Sequence, residues 1–359
     1  MKESANVAIH RDRLQALDIL RFIAAMCVMV YHMTYRPLFL GDGALALFPA
    51  VQAVSKFGYL GVELFFLISG FVILWSASGR SAASYVASRV SRLVPSLWVC
   101  IALTSAVLIA FGKAAGIVQP KVILANMTLV AGYVGLPYVD GVYWTLQAEI
   151  KFYVLVFILI VLRQMRRIED WLVVWLVALA IAYASFAPGW LKSLVIFPYG
   201  SYFIGGSLFF LIWREGVTTR RLVCLGASLV LSLMCVRHEA AGFMNNDTSP
   251  IALNTASAIV VCLYGLVFAV SLRRVVLPES DLWFQLGALT YPLYLLHNQI
   301  GKLFAGMFAR EWGIPVALVV GFTLPLILAF ILARSVERKG CPWLRSALLS
   351  GARRIGLAT

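Results

Sequence analysis

The stretch LDILRFIAAMCVMVYHM, residues 17–33, is an apolar run that contains Asp18, Arg21 and His32. A helix needs about 20 mostly apolar residues to cross a bilayer, and this run with its flanks reaches that length. Ionisable side chains are costly inside a membrane, so they usually face a cavity or a polar partner. We therefore predict that this segment is a membrane helix that carries functional groups.

Similar apolar segments fill the rest of the chain. Of its 359 residues, 62% are apolar and only 13% are charged, whereas about a quarter of the residues of a soluble domain are charged. We predict an all-α, polytopic membrane helix bundle of about ten transmembrane helices. The predicted helices span residues 17–35, 57–77, 93–112, 142–162, 170–187, 192–213, 221–236, 250–272, 282–303 and 314–333, and residues 113–141 are predicted to be re-entrant or interfacial.

The distribution of basic residues predicts the orientation of these helices. The net charge is +14, and most Lys and Arg residues lie in alternate loops, beginning with the N-terminal segment. Cytoplasmic loops carry such an excess, so we expect both termini in the cytoplasm and no nucleic acid as a partner. The expected division is a cytoplasmic segment 1–16, a transmembrane domain 17–333 and a cytoplasmic tail 334–359. None of the six cysteines has a metal-ligand spacing, so neither a metal nor a structural disulfide is expected.

Arg21 and His32 are the first candidates for chemistry. They are eleven residues apart, which is about three helical turns, so their side chains are predicted to share one face of the helix. A donor that enters from the cytoplasm could contact both. Alternatively, Arg21 extends to the membrane interface and His32 lies at the outer boundary.

Two carboxylates are further candidates. Glu63 lies in GYLGVELFFLISGFVIL, residues 58–74, and Glu149 lies in YWTLQAEIKFY, residues 143–153. Either could orient an imidazole or line a substrate cavity. The alternative for Glu63 is an interfacial carboxylate with access to water.

Two arginines stand three residues apart in SYVASRVSRLVP, residues 84–95. Arg89 and Arg92 therefore share a helical face. Their guanidinium groups suit the phosphates of a coenzyme A donor. The alternative is ordinary basic anchoring on the cytoplasmic side.

The segment LGALTYPLYLLHNQ, residues 286–299, brings polar groups to membrane depth. Pro292 interrupts the backbone hydrogen bonds there, and Tyr291, Tyr294 and His297 are candidates for binding substrate hydroxyls. Packing with satisfied hydrogen bonds is the alternative.

Taken together and in this order, these segments resemble the acyltransferase-3 family of membrane acyltransferases. The resemblance rests on LDILRFIAAMCVMVYH, GYLGVELFFLISGFVI, SRVSRLVP, YWTLQAEIKFY, LGALTYPLYLLH and the terminal VERKGCPW, and these pieces are distributed over nearly the whole chain. The resemblance implies a multi-pass protein of the bacterial inner (plasma) membrane. It also implies an acyl-coenzyme A co-substrate, with acetyl-coenzyme A expected, and no permanently bound cofactor. The expected acceptor is a carbohydrate hydroxyl of the envelope, and polysaccharide synthesis proteins are possible partners beside the lipid bilayer.

The resemblance also assigns roles to individual residues. His32 matches the catalytic histidine and Arg21 its essential companion. Arg89 and Arg92 match an arginine pair that serves the donor, and Glu149 matches a glutamate of the WxLxxExxFY motif. As a hypothesis, neutral His32 accepts the proton of the attacking hydroxyl while Arg21 stabilises the developing negative charge. Direct transfer and transfer through an acylated intermediate both remain open.

Two functions compete with this prediction. A transporter or flippase of a lipid-linked sugar would also have intramembrane charges and broken helices. A structural subunit of a polysaccharide synthesis complex would need no chemistry of its own. The Arg89 and Arg92 pair favours the enzyme, because a flippase has no need of a site for a coenzyme A donor.

Overall fold

Helices dominate the structure, a computed structural model that describes residues 2–36, 49–184, 187–275, 277–278 and 280–354, with side chains from residue 15 onward. These ranges contain no β-strand, so the all-α prediction is confirmed. Parts of three predicted segments lie outside the described residues. They are Met1 of the N-terminal segment, residues 185–186 of the fifth helix and residues 355–359 of the tail.

Fourteen α-helices follow one another along the described chain. They are α1 Lys2–Val30, α2 Pro49–Ser55, α3 Gly61–Ala77, α4 Ala82–Ala110, α5 Pro120–Met127, α6 Trp144–Val161, α7 Ile168–Ala184, α8 Gly189–Leu194, α9 Gly200–Glu215, α10 Thr219–Phe243, α11 Pro250–Ser271, α12 Asp281–Leu296, α13 Gln299–Leu332 and α14 Arg338–Arg354. Two π-helical segments, Tyr31–Tyr35 and Ala333–Glu337, continue α1 and α13.

Seven helical stretches within the described residues are long and apolar enough to cross a membrane, which supports a multi-pass membrane protein. They are Gln15–Tyr35, Pro49–Ala77, Ala82–Ala110, Gly141–Val161, Thr219–Phe243, Pro250–Ser271 and Gln299–Arg354. Three further predicted spans correspond to shorter helices, because α7 has 17 residues and α9 and α12 have 16 each. The count of ten spans stays a prediction.

Several helix boundaries differ from the sequence prediction. The predicted helix 192–213 is broken between α8 and α9, where Ile196 has a positive φ of 57° and Pro198 lacks a backbone N–H. Helix α4 begins at Ala82, eleven residues before the predicted start at residue 93. Arg89 and Arg92 therefore lie well inside a helix. The predicted start was placed directly after Arg92, where the uninterrupted apolar run begins, so the helical residues before it were not included.

The contacts divide the chain into two compact units. The first comprises Met1–Ala24, Tyr59–Ala82 and Ala148–Phe284, and the second comprises Ala25–Gly58, Ala83–Gln147 and Gln285–Thr359. In the first unit, α9 is central: every residue from Gly200 to Trp213 is buried. It packs against α3, α7, α10 and α11. A helix that is apolar on all sides lies either inside a protein or in lipid, and the residues of α9 are enclosed by the neighbouring helices.

Two glycines allow the closest of these helix contacts, between α3 and α9. A Cβ atom built on Gly206 would lie 1.9 Å from the Leu67 carbonyl oxygen and 2.9 Å from the Gly70 Cα. A Cβ on Gly70 would lie 2.3 Å from the Phe203 carbonyl oxygen. The two backbones are in direct contact, as small residues permit at interfaces between membrane helices.

The second unit is organised by a fold-back within α13. Gly313 has φ 81° and ψ 173°, which interrupts the helix. The two arms then approach each other, and a Cβ on Gly301 would lie 3.1 Å from the Gly321 carbonyl oxygen. The Met33 side chain is fully buried beside both glycines, with its Sδ 3.1 Å from the Cβ position of Gly321. This packing fixes the end of the first membrane helix and therefore the position of the neighbouring His32.

The segment predicted as re-entrant, residues 113–141, contains only short helical pieces. They include α5 and the turn Ala131–Val134. Buried Asn126 fixes this segment, because its Nδ2 donates to the Val122 and Pro137 carbonyls at 2.8 and 3.0 Å. Its Oδ1 accepts from the Val139 N–H at 3.1 Å. The segment is therefore a specific connection that leads directly to Asp140.

Replacing Gly206 with Ala should destabilise the first unit, because the new methyl group overlaps backbone atoms of α3. Overpacking of this kind costs about 1–3 kcal/mol, so thermal unfolding in detergent should begin at a lower temperature. Gly226→Ala in α10 is the matched control, since its Cβ would meet no atom within 4 Å. The control should unfold at an unchanged or higher temperature, because Ala favours a helix by up to about 1 kcal/mol over Gly. Equal melting temperatures for the two variants would contradict the described contact.

Candidate functional site

His32 lies in the π-helical segment that ends the first membrane helix. The Arg36 N–H donates to the Tyr31 carbonyl at 3.0 Å, five residues back. This wider turn differs from the α-helical geometry assumed in the sequence analysis. π-Helical turns are rare and occur frequently at functional sites.

Two polar side chains of the second unit meet His32. The His297 ring lies with its centroid 5.3 Å from that of His32. The Lys302 Nζ lies 3.4 Å from His32 Nδ1. The structure thus brings together a predicted catalytic residue, a predicted substrate-binding residue and a lysine that was not predicted from the sequence to belong to the site.

His297 is fully buried at the end of α12, and its environment defines its hydrogen bonding. Its Nδ1 lies 2.9 Å from the Tyr294 carbonyl oxygen and 3.2 Å from the Leu293 carbonyl oxygen. Carbonyl oxygens only accept, so Nδ1 carries the hydrogen and Nε2 of the neutral ring is an acceptor. Within the part of the chain that the structure describes, the buried Nε2 has no hydrogen-bond partner.

Asp140 fixes the residues that follow His297. Its Oδ1 accepts from the Asn298 side-chain amide at 2.7 Å and from the Val142 N–H at 3.2 Å. Its Oδ2 accepts from the Gln299 N–H at 2.8 Å. Because Gln299 begins α13, the carboxylate occupies the N-terminus of that helix, where negative charge is favoured.

The electrostatic environment of Asp140 combines opposing effects. Burial raises the pKa of its carboxyl group, while the three hydrogen-bond donors and the nearby Lys302 charge lower it. The raised pKa shows that burial is the larger effect. The hydrogen-bond donors and the Lys302 charge oppose this effect and favour the ionised form.

Asp140, Asn298 and Lys302 were not among the site residues predicted from the sequence. A usable signal was present, because Asp140 is the only charged residue between Lys121 and Glu149. A lone acid in such an apolar stretch requires a polar partner. The partners themselves are more than 150 residues away along the chain, at Asn298 and Gln299, so spacing did not reveal them.

The two predicted tyrosines form hydrogen bonds within the second unit. The Tyr291 hydroxyl donates to the Leu93 carbonyl at 3.1 Å. The Tyr294 hydroxyl lies 2.9 Å from the Thr145 Oγ1. These bonds are those expected from the packing alternative, and a role for either tyrosine in binding substrate stays a prediction.

The predicted donor-binding arginines are also in the second unit. Arg89 is half-buried and donates to the Ser88 Oγ at 3.1 Å. Arg92 is exposed and lies close enough to Glu337 for their charges to interact. Glu337 also accepts from Ser96 Oγ at 3.2 Å. The terminal VERKGCPW segment thus contacts the arginine-bearing helix α4.

The remaining predicted site residues belong to the first unit. Arg21 pairs with Asp18 at 3.9 Å. Glu149 accepts hydrogen bonds from Ser69 at 3.1 Å and from the Tyr153 hydroxyl at 2.8 Å. Glu63 is buried. The common face of Arg21 and His32 and the catalytic role of Glu149 stay predictions.

Replacing Asp140 with Ala should destabilise the second unit, because the Asn298 amide and the Gln299 N–H would be buried without their acceptor. Each such unsatisfied group costs about 1–3 kcal/mol, so the melting temperature in detergent should fall clearly. Asp247→Ala is the matched control, since Asp247 accepts an N–H from Ser249 in an exposed turn. A melting temperature as high for Asp140→Ala as for this control would be inconsistent with the hydrogen bonds described.

Comparisons with known proteins agree with the sequence resemblance. The sequence profile of the family described as "Acyltransferase domain" matches residues 14–334. The chain is also similar to Nodulation protein 10 of Rhizobium leguminosarum bv. viciae, with 32% identity over 167 residues. That alignment covers 40% of this chain and 42% of the relative, so the chain spans less than half of the relative's length. No solved structure matches the chain.

The family profile covers nearly the whole apolar region, including both histidines of the cluster described above. The apolar helices that carry them are those of a multi-pass membrane protein. The chain therefore belongs to the acyltransferase-3 family.

Proposed function

We propose that this protein transfers an acyl group, acetyl in particular, from acyl-coenzyme A to a hydroxyl of an envelope or secreted carbohydrate. The main support is the cluster of buried His297 with half-buried His32 and Lys302 in a chain of the acyltransferase-3 family. Imidazole groups at membrane depth supply the proton transfer that ester formation requires. Acyl-coenzyme A is a co-substrate, and no cofactor remains bound.

We place the protein in the bacterial inner membrane with ten spans and both termini in the cytoplasm. The excess of basic residues in alternate loops supports this orientation. In this arrangement the transmembrane domain covers residues 17–333, and residues 1–16 and 334–359 are cytoplasmic. Polysaccharide synthesis proteins are proposed partners that supply the acceptor.

The reaction forms a bond between the acceptor oxygen and the acyl carbon, and it breaks the bond between that carbon and the thioester sulfur. We propose that His32 lies at the reacting centre, on the strength of its motif and of its polar neighbours. Arg21, Glu63 and Glu149 are assigned to the same reaction by their motifs alone. Tyr291 and Tyr294 are proposed to shape the acceptor site.

His32→Ala should abolish acyl transfer, because it removes an imidazole from the reacting centre. Loss of acid–base catalysis lowers rates by about 10²–10⁴-fold. The assay is mass spectrometry of envelope and secreted glycans from a deletion strain that carries the variant, and the missing mass also identifies the acyl group and the acceptor. His238→Ala is the control, since His238 is an exposed histidine that pairs with Glu239. A well-expressed His32→Ala protein with full activity would rule out the assignment.

Arg89→Ala and Arg92→Ala should weaken binding of the donor, because each removes a guanidinium group that suits its phosphates. Coenzyme A should raise the melting temperature of the purified wild-type protein, since a ligand stabilises the state that binds it. This shift should be reduced in both variants and unchanged in Arg345→Ala, which removes an exposed arginine of α14. If coenzyme A failed to protect even the wild-type protein, a transporter would become the better explanation.

A further inference from the structure

The two histidines of the cluster differ in what their ring nitrogens contact. His297 Nδ1 is held by two backbone carbonyls, so its hydrogen is fixed there. Its Nε2 is then a lone-pair acceptor. This atom is buried and has no partner among the described residues. Burying an acceptor without a partner costs free energy, which indicates that a donor from outside the described chain completes the site.

His32 has the opposite arrangement. Its Nδ1 faces the Lys302 Nζ at 3.4 Å. A lysine ammonium has three N–H donors and no acceptor. Lys302 therefore donates to Nδ1, and in the neutral ring the hydrogen of His32 is on Nε2. The neutral His32 ring therefore presents Nε2–H as a hydrogen-bond donor.

Asp140 supports the charged form of Lys302. Three N–H donors surround its carboxylate, from Asn298, Gln299 and Val142. Acceptance of three donors suits the ionised carboxylate. Its negative charge interacts with Lys302, one helical turn after the start of α13.

We propose that His297 is the proton acceptor of the acyl transfer and that His32, held by Lys302, donates a hydrogen bond to the reacting carbonyl oxygen. This assignment rests on the proposed function and changes the role first predicted for His32. Its basis is the buried Nε2 of His297, which has no partner among the residues that the structure describes, and the distance of 5.3 Å between the two ring centroids.

The acceptor hydroxyl oxygen attacks the thioester carbonyl carbon, and its proton passes to His297 Nε2. The carbonyl oxygen, which becomes negatively charged, accepts a hydrogen bond from His32 Nε2–H. When the tetrahedral intermediate collapses, the carbon–sulfur bond breaks and the His297 imidazolium returns the proton to the leaving thiolate. An ester and free coenzyme A result, and both histidines regain their starting states.

The decisive variant is His297→Asn. An asparagine side-chain amide can donate to the Tyr294 carbonyl as Nδ1–H does, so the structural hydrogen bond is retained while the Nε2 acceptor is lost. We expect the turnover number to fall by about 10²–10⁴-fold. The probes are radiolabelled acetyl-coenzyme A and glycans isolated from the deletion strain. Elution in size-exclusion chromatography and protection by coenzyme A should equal those of the wild-type protein.

Glutamine substitutions at the two positions give an independent test, because a glutamine amide can donate or accept a hydrogen bond but cannot take up a proton at neutral pH. His32→Gln should retain clearly more activity than His32→Ala, since its amide replaces the Nε2–H donor. His297→Gln should lose turnover as fully as His297→Asn, with the KM for the acceptor changed only a few-fold. If His297→Asn does not fold, this comparison still decides the assignment.

Three outcomes would overturn the proposal. Near-normal turnover in folded His297→Asn would show that His297 is structural, and the acyltransferase function would stand. A His32→Gln protein as inactive as His32→Ala, beside an active His297→Gln, would return the base to His32. A wild-type protein that neither binds coenzyme A nor transfers acetyl would remove the proposed function and this assignment together.

Discussion

The carboxylate of Asp140, buried among three N–H donors, is the interaction on which the described site depends. It joins the end of the connecting segment 113–141 to the first residue of α13. Since α12 ends immediately before this junction, the same contact fixes His297, and Lys302 follows one turn later. A buried charge needs this complete set of partners, so the local backbone has little freedom to vary.

A second constraint is the close packing of helices through small residues. The contact of Gly70 with Gly206 organises the first unit, and the approach of Gly301 to Gly321 organises the second. In lipid, helices gain little from burying apolar side chains against one another, so direct backbone contact becomes a main source of association. In the second unit this packing also encloses Met33 and so positions the adjacent His32.

The two histidines show how environment differentiates identical side chains. Backbone carbonyls hold Nδ1–H of His297, and the lysine ammonium contacts Nδ1 of His32. The first ring therefore presents an acceptor and the second a donor. A pair of groups with opposite hydrogen-bonding roles suits the transfer of an acyl group between two partners, where one oxygen loses a proton and another gains negative charge.

The sequence by itself determined the fold class, the membrane location and the family, because apolar segments about 20 residues long and six ordered motifs are local features. It also identified His32 and His297 as candidates. Only the tertiary structure decided that these two residues meet, that Lys302 accompanies them, and that α8 and α9 are separate helices. The physical reason is that such contacts join residues that are up to 270 positions apart. Apolar length and periodicity describe how each helix meets lipid, but they carry no information about which polar groups neighbouring helices bring together.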